Sequence, residues 1–266
     1  MLGLGVSLST GGAPSILIPS DISGLDLWLQ VNKGIVGADG GASADGDMAD
    51  GEDINSWADQ SGNDRHASQE TASRKPHWET TAADFGGVRW TEADNDPHMN
   101  LASNVSISAN QDFTIMVRVK IEDFFAADGS TDEARSLVGS AASSVLKITS
   151  NKRIATLIGG SGASAWEESS DAWTTSDYYI FTLTRSNGST GNLELRVHGG
   201  TYSDKSWDSS ETHTDADAFV INNIGSAADS AIPMEGVFKD VLIWKGTALS
   251  DSQRTDMYSY LNGQEY

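Results

Sequence analysis

The chain is 266 residues long, enough for one large domain or two small ones, and a chain of that size can bury a full core without covalent staples. It contains no cysteine, which excludes disulfides and thiolate metal sites and fits a protein folded in a reducing cytoplasm. Its 38 Asp plus Glu against 17 Lys plus Arg give a formal net charge of −21, a surface that repels phosphate backbones and anionic lipid and so argues against nucleic acid and membrane as partners.

Residues 1–20 read as an extended arm for assembly. Leu2, Leu4, Val6 and Leu8 are apolar but interrupted by glycine, Gly11-Gly12-Ala13-Pro14 follows, and Pro19-Ser20 closes the segment. The first lysine is Lys33, so no secretory signal is expected, and no stretch approaches the length of a transmembrane helix. Leu25 to Leu29 then alternates as a strand, with Leu25, Leu27 and Leu29 on one face. Residues 37–53 hold five Asp, one Glu and five Gly with almost no apolar content, and read as a long loop. Phe113 to Ile121 is the clearest strand, its odd-numbered residues facing the core and Arg118 and Lys120 lying opposite.

Further strands are expected at 144–149, 153–159, 178–185, 193–198, 218–224 and 236–244, separated by Gly, Ser, Asn and Asp clusters. The 236–244 strand is apolar on both faces and is placed centrally. One helix follows, capped by Ser250 with Gln253 completing a capping box, striped by Met257, Tyr258 and Leu261, and ended at Asn262-Gly263. With no repeat and no interior linker, the expectation is an all-β antiparallel sandwich over residues 21–266 behind the arm.

Two segments carry a resemblance: Asp21-Ile-Ser-Gly-Leu-Asp-Leu-Trp-Leu-Gln30 with Trp57-Ala-Asp-Gln-Ser-Gly-Asn63, continued by Arg74-Lys-Pro-His-Trp78, Val88-Arg-Trp90, Gly191–Gly199 and Met234–Trp244. Over roughly residues 21–262 the chain resembles laminin-G-like, concanavalin A-like jelly-roll domains, of the kind found in marine bacteria and in the virion proteins of their phages. The resemblance implies a jelly-roll β-sandwich. It leaves function open, because lectins, glycosidases and inert spacers share this sandwich. In the Trp57–Asn63 segment, Asp59, Ser61 and Asn63 are suited to bonding local backbone and Gly62 to a positive φ. That describes a structural corner with Trp57 in the core, a ligand role being the alternative. Trp28, Trp90 and Trp244 lie in strand patterns and read as core.

A glycosidase on this sandwich needs two carboxylates facing each other across the sugar, and the glucanase branch places them on one strand as Glu-x-Asp-x-x-Glu. Here the sole Glu-x-Asp is Glu92-Ala-Asp94, with Pro97 where the second Glu would stand, and Glu235 and Asp240 are five positions apart, which sets them on opposite strand faces. The five histidines, His66, His77, His98, His198 and His213, show no metal-ligand spacing. The expectation is therefore a non-enzymatic protein. Calcium is the candidate cofactor: Asp45, Asp47, Asp50 and Asp53 crowd one loop without EF-hand spacing, and Asp59 with Asn63 is the other candidate set, a solvated loop being the alternative for both. Trp166, Tyr202 and Trp207, in polar non-periodic segments, are candidate carbohydrate platforms or else loop anchors.

The phage-like resemblance and the apolar arm together point to a virion structural subunit, a capsid decoration or tail appendage. It would be made in the host cytoplasm and displayed on the virion surface. The expected partners are other capsid or tail proteins and itself, as a homo-oligomer with a trimer favoured, and host-surface glycans. The alternative is a carbohydrate-binding module of a bacterial surface or polysaccharide-degrading system.

Overall fold

Period-two alternation sets the centre of the molecule. Along β8 (Phe113–Ile121), Phe113, Ile115, Val117, Val119 and Ile121 enter a core between two sheets, and the residues between them face outward. Beside it lies β17 (Gly236–Lys245), buried along nearly its whole length, as its two apolar faces require.

The computed structural model describes residues 17–31, 33–41, 48–80, 86–91, 97–123, 134–140, 143–149, 154–158, 174–187, 190–200, 202–207, 213–226 and 234–263. They form an antiparallel jelly-roll β-sandwich with one C-terminal helix. The first sheet runs β14 (Tyr202–Trp207), β13 (Asn192–Gly199), β12 (Tyr178–Ser186), β8, β17, β6 (Gly87–Trp90), β5 (His77–Glu79), with β1 (Leu25–Gln30) also paired to β17 and β15 (His213–Thr214) to β13. The second runs β11 (Ile154–Ala155), β10 (Ser143–Thr149), β9 (Ala134–Ser140), β16 (Phe219–Ile224), β7 (Met99–Ile107), β4 (Ala67–Ser68), β3 (Ile54–Trp57), β2 (Ile35–Gly37). Trp57 and Trp90 are fully buried between the sheets. Among the described residues no helix is long and apolar enough to cross a membrane.

The outer face of the first sheet carries a second apolar layer. Helix α1 (Asp251–Asn262) lays Met257, Tyr258 and Leu261 against Trp28, Met116, Ile180, Leu242 and Trp244. Its capping box forms as expected: Ser250 Oγ accepts from Gln253 N at 3.4 Å, and Gln253 Oε1 accepts from Ser250 N at 3.0 Å. Leu17 packs against this cluster and Pro19 is buried in a 3-10 turn over Pro19–Asp21, so the last residues of the expected arm lie on the sandwich. Leu2, Leu4, Val6 and Leu8 lie outside the described residues.

Two bulges correct the simple alternation. Leu25 pairs with Trp244 and Leu27 with Ile243, so Asp26 is an extra residue. Leu27 and Leu29 enter the main core, whereas Leu25 packs on the helix side. On β17, Phe238 pairs with Val119 and Asp240 with Arg118, so Lys239 is extra. Parity reverses across Lys239: Val237, opposite Lys120, and Asp240, opposite Arg118, both face outward. The five-residue spacing from Glu235 therefore does not set Asp240 on the opposite face.

The expected 37–53 loop is also more ordered at its end. Gly51 N donates to Trp78 O at 2.8 Å, Trp78 N to Glu52 O at 2.7 Å, and Ile54 N to Pro76 O at 2.8 Å. The chain thus runs along β5 of one sheet before entering β3 of the other, and covers the β5 edge.

Candidate functional site

The Trp57–Asn63 corner is a clamp on the β1 bulge. Asp59 Oδ1 accepts from Trp28 N and Ser61 N, both at 2.9 Å, and Oδ2 accepts from Ser61 Oγ at 2.8 Å and Arg65 N at 3.0 Å. Asn63 Nδ2 donates to Leu25 O at 3.1 Å and Asp26 O at 3.2 Å, and Arg65 Nη2 lies 3.2 Å from Asp26 Oδ1. Gly62 supplies the positive φ, 87°, that closes the turn. Trp57 is fully buried and donates its Nε1–H to Gln30 O at 2.8 Å. The two calcium candidates here are thus committed to protein partners: both oxygens of Asp59 already accept two hydrogen bonds each, and Asn63 presents its amide nitrogen to the carbonyls.

A pocket of about 280 Å³ opens at the β5–β6 end of the first sheet, lined by Asp50, Gly51, His77, Trp78, Glu79, Arg89 and Thr91. The register explains its polar side chains. His77 pairs with Arg89 and Glu79 with Gly87, so His77, Glu79 and Arg89 share the outward face while Trp78 and Val88 point into the core. Arg89 Nη1 lies 2.9 Å from Glu79 Oε2, and its Nη2 lies 3.0 Å from Glu122 Oε2. Lys120 Nζ stands 3.8 Å from the other Glu122 oxygen.

Burial raises the pKa of Glu122 against the opposing pull of Arg89 and Lys120. Burial also works against the Arg89 cation, but Glu122, Glu79 and Glu235 outweigh it and raise its pKa. At the pocket rim Asp50 accepts from Thr80 N at 2.9 Å and Thr80 Oγ1 at 3.1 Å, bonds that hold its carboxyl below the usual range. His77 Nδ1 sits 3.0 Å from Asp53 Oδ1.

A second polar cluster lies beneath the end of α1. Asp240 is fully buried, and neither carboxylate oxygen has a hydrogen-bond partner. Arg118 Nη1 stands 3.9 Å from Asp240 Oδ2 and donates instead to the Leu261 carbonyl. Burial pushes the Asp240 carboxyl up to about 7, with Arg118 and then Lys239 opposing. Tyr260, whose hydroxyl pKa is raised by burial and by Asp240, bonds Gln30 beside it.

Asp50 and Asp53 are thus engaged with different partners, Thr80 and His77, and among the described residues no three His, Cys, Asp or Glu gather as a metal site. Asp45, Asp47 and Trp166 lie outside the described residues. Tyr202 and Trp207 are not in rim loops: they begin and end β14, opposite Gly199 and Leu195 of β13. The sequence reading missed Glu79, Arg89 and Glu122. A usable signal was present in His77-Trp78-Glu79 and Val88-Arg89-Trp90, where charges of opposite sign alternate with buried residues on two short strands.

No protein-family profile matches the sequence, and neither does any curated protein. Among solved structures, domain 4 of the GH43 extracellular arabinanase AbnA from Geobacillus stearothermophilus, in complex with arabinotriose, aligns at 15% identity over 88% of this chain and 97% of that one, with a TM-score of 0.46. The receptor binding domain of botulinum neurotoxin D aligns at 13% identity over 89% of this chain and 52% of that one, with a TM-score of 0.49. Trypanosoma rangeli sialidase in complex with the inhibitor DANA aligns at 14% identity over 95% of this chain and 35% of that one, with a TM-score of 0.48. The chain therefore spans about half of the toxin domain and a third of the sialidase. With these three TM-scores below 0.5, the functional reading rests on the chain's own residues.

Proposed function

We propose that this sandwich is a non-catalytic glycan-binding module whose site is the β5–β6 pocket. The observation that carries the reading is the ring of donors and acceptors around one pocket, with His77, Glu79 and Arg89 fixed on the paired strands β5 and β6, Thr91 directly after β6 and Asp50 in the turn before Gly51. Sugars are polyols, and dense, preorganised hydrogen-bonding groups are what they need. The carboxylates do not suit glycoside hydrolysis: Glu79 and Glu122 both grip one arginine, so neither is left to donate a proton or attack. Titration calorimetry on a hit from a glycan array tests this. Arg89→Met and Thr91→Ala are each expected to weaken binding at least about tenfold. Glu194→Ala, on β13 at the far side of the sheet, should leave it unchanged. Pocket variants that bind like the wild type would remove the pocket from the reading.

A second reading places the module on a virion surface, bound through residues 1–20 to capsid or tail proteins. Its support is the laminin-G-like resemblance together with Ile18, the exposed large hydrophobic among the described residues, at the point where the arm joins the domain. A homo-oligomer, a trimer in particular, is the matching assembly. Co-sedimentation with purified particles is the test, and its expected outcome is argued at the scale of the whole molecule below.

A further inference from the structure

The charge arrangement in the pocket bears on which glycans it takes, an inference that rests on the glycan-binding reading above. Recognition of a sialate, uronate or sulfate group calls for an arginine with free N–H groups to fork onto the anion. Arg89 is the cation of this pocket, and two carboxylates already match its charge. Nη1 holds Glu79, Nη2 holds Glu122, and Nε is buried. The rest of the lining adds Asp50 on the same side, His77 is drawn to Asp53, and Glu235 adds to the negative field at Arg89. Among the described lining residues, an anionic sugar would meet carboxylates and no unpaired cation to receive it. A hydroxyl or amine would find acceptors already aligned.

We infer that the pocket selects uncharged or amine-bearing sugars and rejects carboxylated and sulfated ones, with Glu122 acting as the selectivity residue by occupying Arg89. Glu122 comes from the end of β8, not from the pocket lining, so it sets specificity by holding a group that touches the ligand. Neutralising it should release Nη2 toward the pocket.

The experiment titrates full-length protein with maltohexaose, xylohexaose and chitosan oligomers as uncharged and amine-bearing probes. The anionic probes are 3′-sialyllactose, oligogalacturonate and heparin hexasaccharide. Wild-type protein is expected to bind at least one of the first group and none of the second, and Glu122→Gln to gain at least about tenfold for a carboxylated probe, the worth of one charge-assisted hydrogen bond. Should that variant fail to fold, the salt dependence of wild-type binding decides: affinity for an uncharged probe should be nearly flat as sodium chloride rises. Wild-type binding of an anionic probe as tight as of an uncharged one overturns the inference and leaves the glycan reading intact. Binding of no probe overturns both.

Discussion

At Asp240 two requirements of the fold conflict. The position lies under α1, where burial favours an apolar residue, yet it carries a carboxyl facing Arg118 and Lys239 from the strands, Tyr260 from the helix and Gln30 from β1. The neutral form is favoured, since the group titrates near 7 rather than at its ordinary 3.8. The consequence for stability has a definite sign. Below the ordinary value both folded and unfolded chains carry the proton, and the buried carboxyl brings no charge penalty. Between that value and about 7 the unfolded chain has released its proton, so folding must take one up and stability falls as pH rises. The slope from this group is at most about 1.4 kcal/mol per pH unit. Asp240→Asn is therefore expected to melt higher than the wild type at pH 8, with the gap closing toward pH 4. Parallel melting curves across that range would show that Asp240 is ionised and compensated at all of them. Arg185 is a contrasting case, a buried cation held by backbone carbonyls. It donates to the carbonyls of Ser108, Gln111, Asp215 and Asp217 and lies over the rings of Phe113 and Phe219.

Helix α1 closes the outer face of the first sheet, so its cap should register in the stability of the whole domain. Ser250→Ala removes the acceptor for Gln253 N, a loss of about 1 kcal/mol. That should lower the melting temperature by roughly 2–4 °C in a domain of this size. No change in the melt would mean that packing of Met257, Tyr258 and Leu261 holds the helix without its cap. This element was legible in the sequence because every signal was local: cap, stripe and terminal glycine lie within one short segment. The strands β8 and β17 were legible for a similar reason, long runs of alternating or doubly apolar residues. By contrast β7 buries Met99, Leu101, Val105 and Ile107 but exposes Asn100 and three residues in a row from Ala102, Ser103 and Asn104, which blurs the alternation. The bulges at Asp26 and Lys239 depend on cross-strand register, which no single strand reveals. The pocket was legible only in part, since the alternating charges of β5 and β6 could be read but their meeting with Glu122 could not. Glu79 and Arg89 come from β5 and β6 and Glu122 from directly after β8, and no spacing in the chain announces that the three meet.

Across the whole molecule the formal charge of −21 keeps copies apart at low salt, so an assembly must draw on a contact that the acidic surface does not oppose. On the virion-subunit reading the apolar residues of the proposed arm would offer one, and the structure narrows where it can be separated from the domain. Leu17 packs on the cluster formed by Ile22, Trp28, Trp244 and the helix, and Pro19 is buried in the turn that follows. Asp21 N donates to Ile18 O at 3.0 Å, and Ile18 N donates to Asp21 Oδ2 at 3.0 Å, so the turn over residues 18–21 is closed by its own hydrogen bonds. A cut before Leu17 should therefore spare the sandwich. A cut before Asp21 strips Leu17 and Pro19 from the helix-side layer, and the lost apolar burial should cost about 1–2 kcal/mol. Two truncations separate folding from assembly. The chain starting at Leu17 is expected to melt with the full-length protein but to fail to co-sediment with particles or to form the oligomer. The chain starting at Asp21 is expected to melt several degrees lower and to fail in the same assays. A chain starting at Leu17 that still assembles would move the contact off the arm and onto the sandwich, and with it would go the main physical support for a virion subunit over a free-standing glycan-binding module.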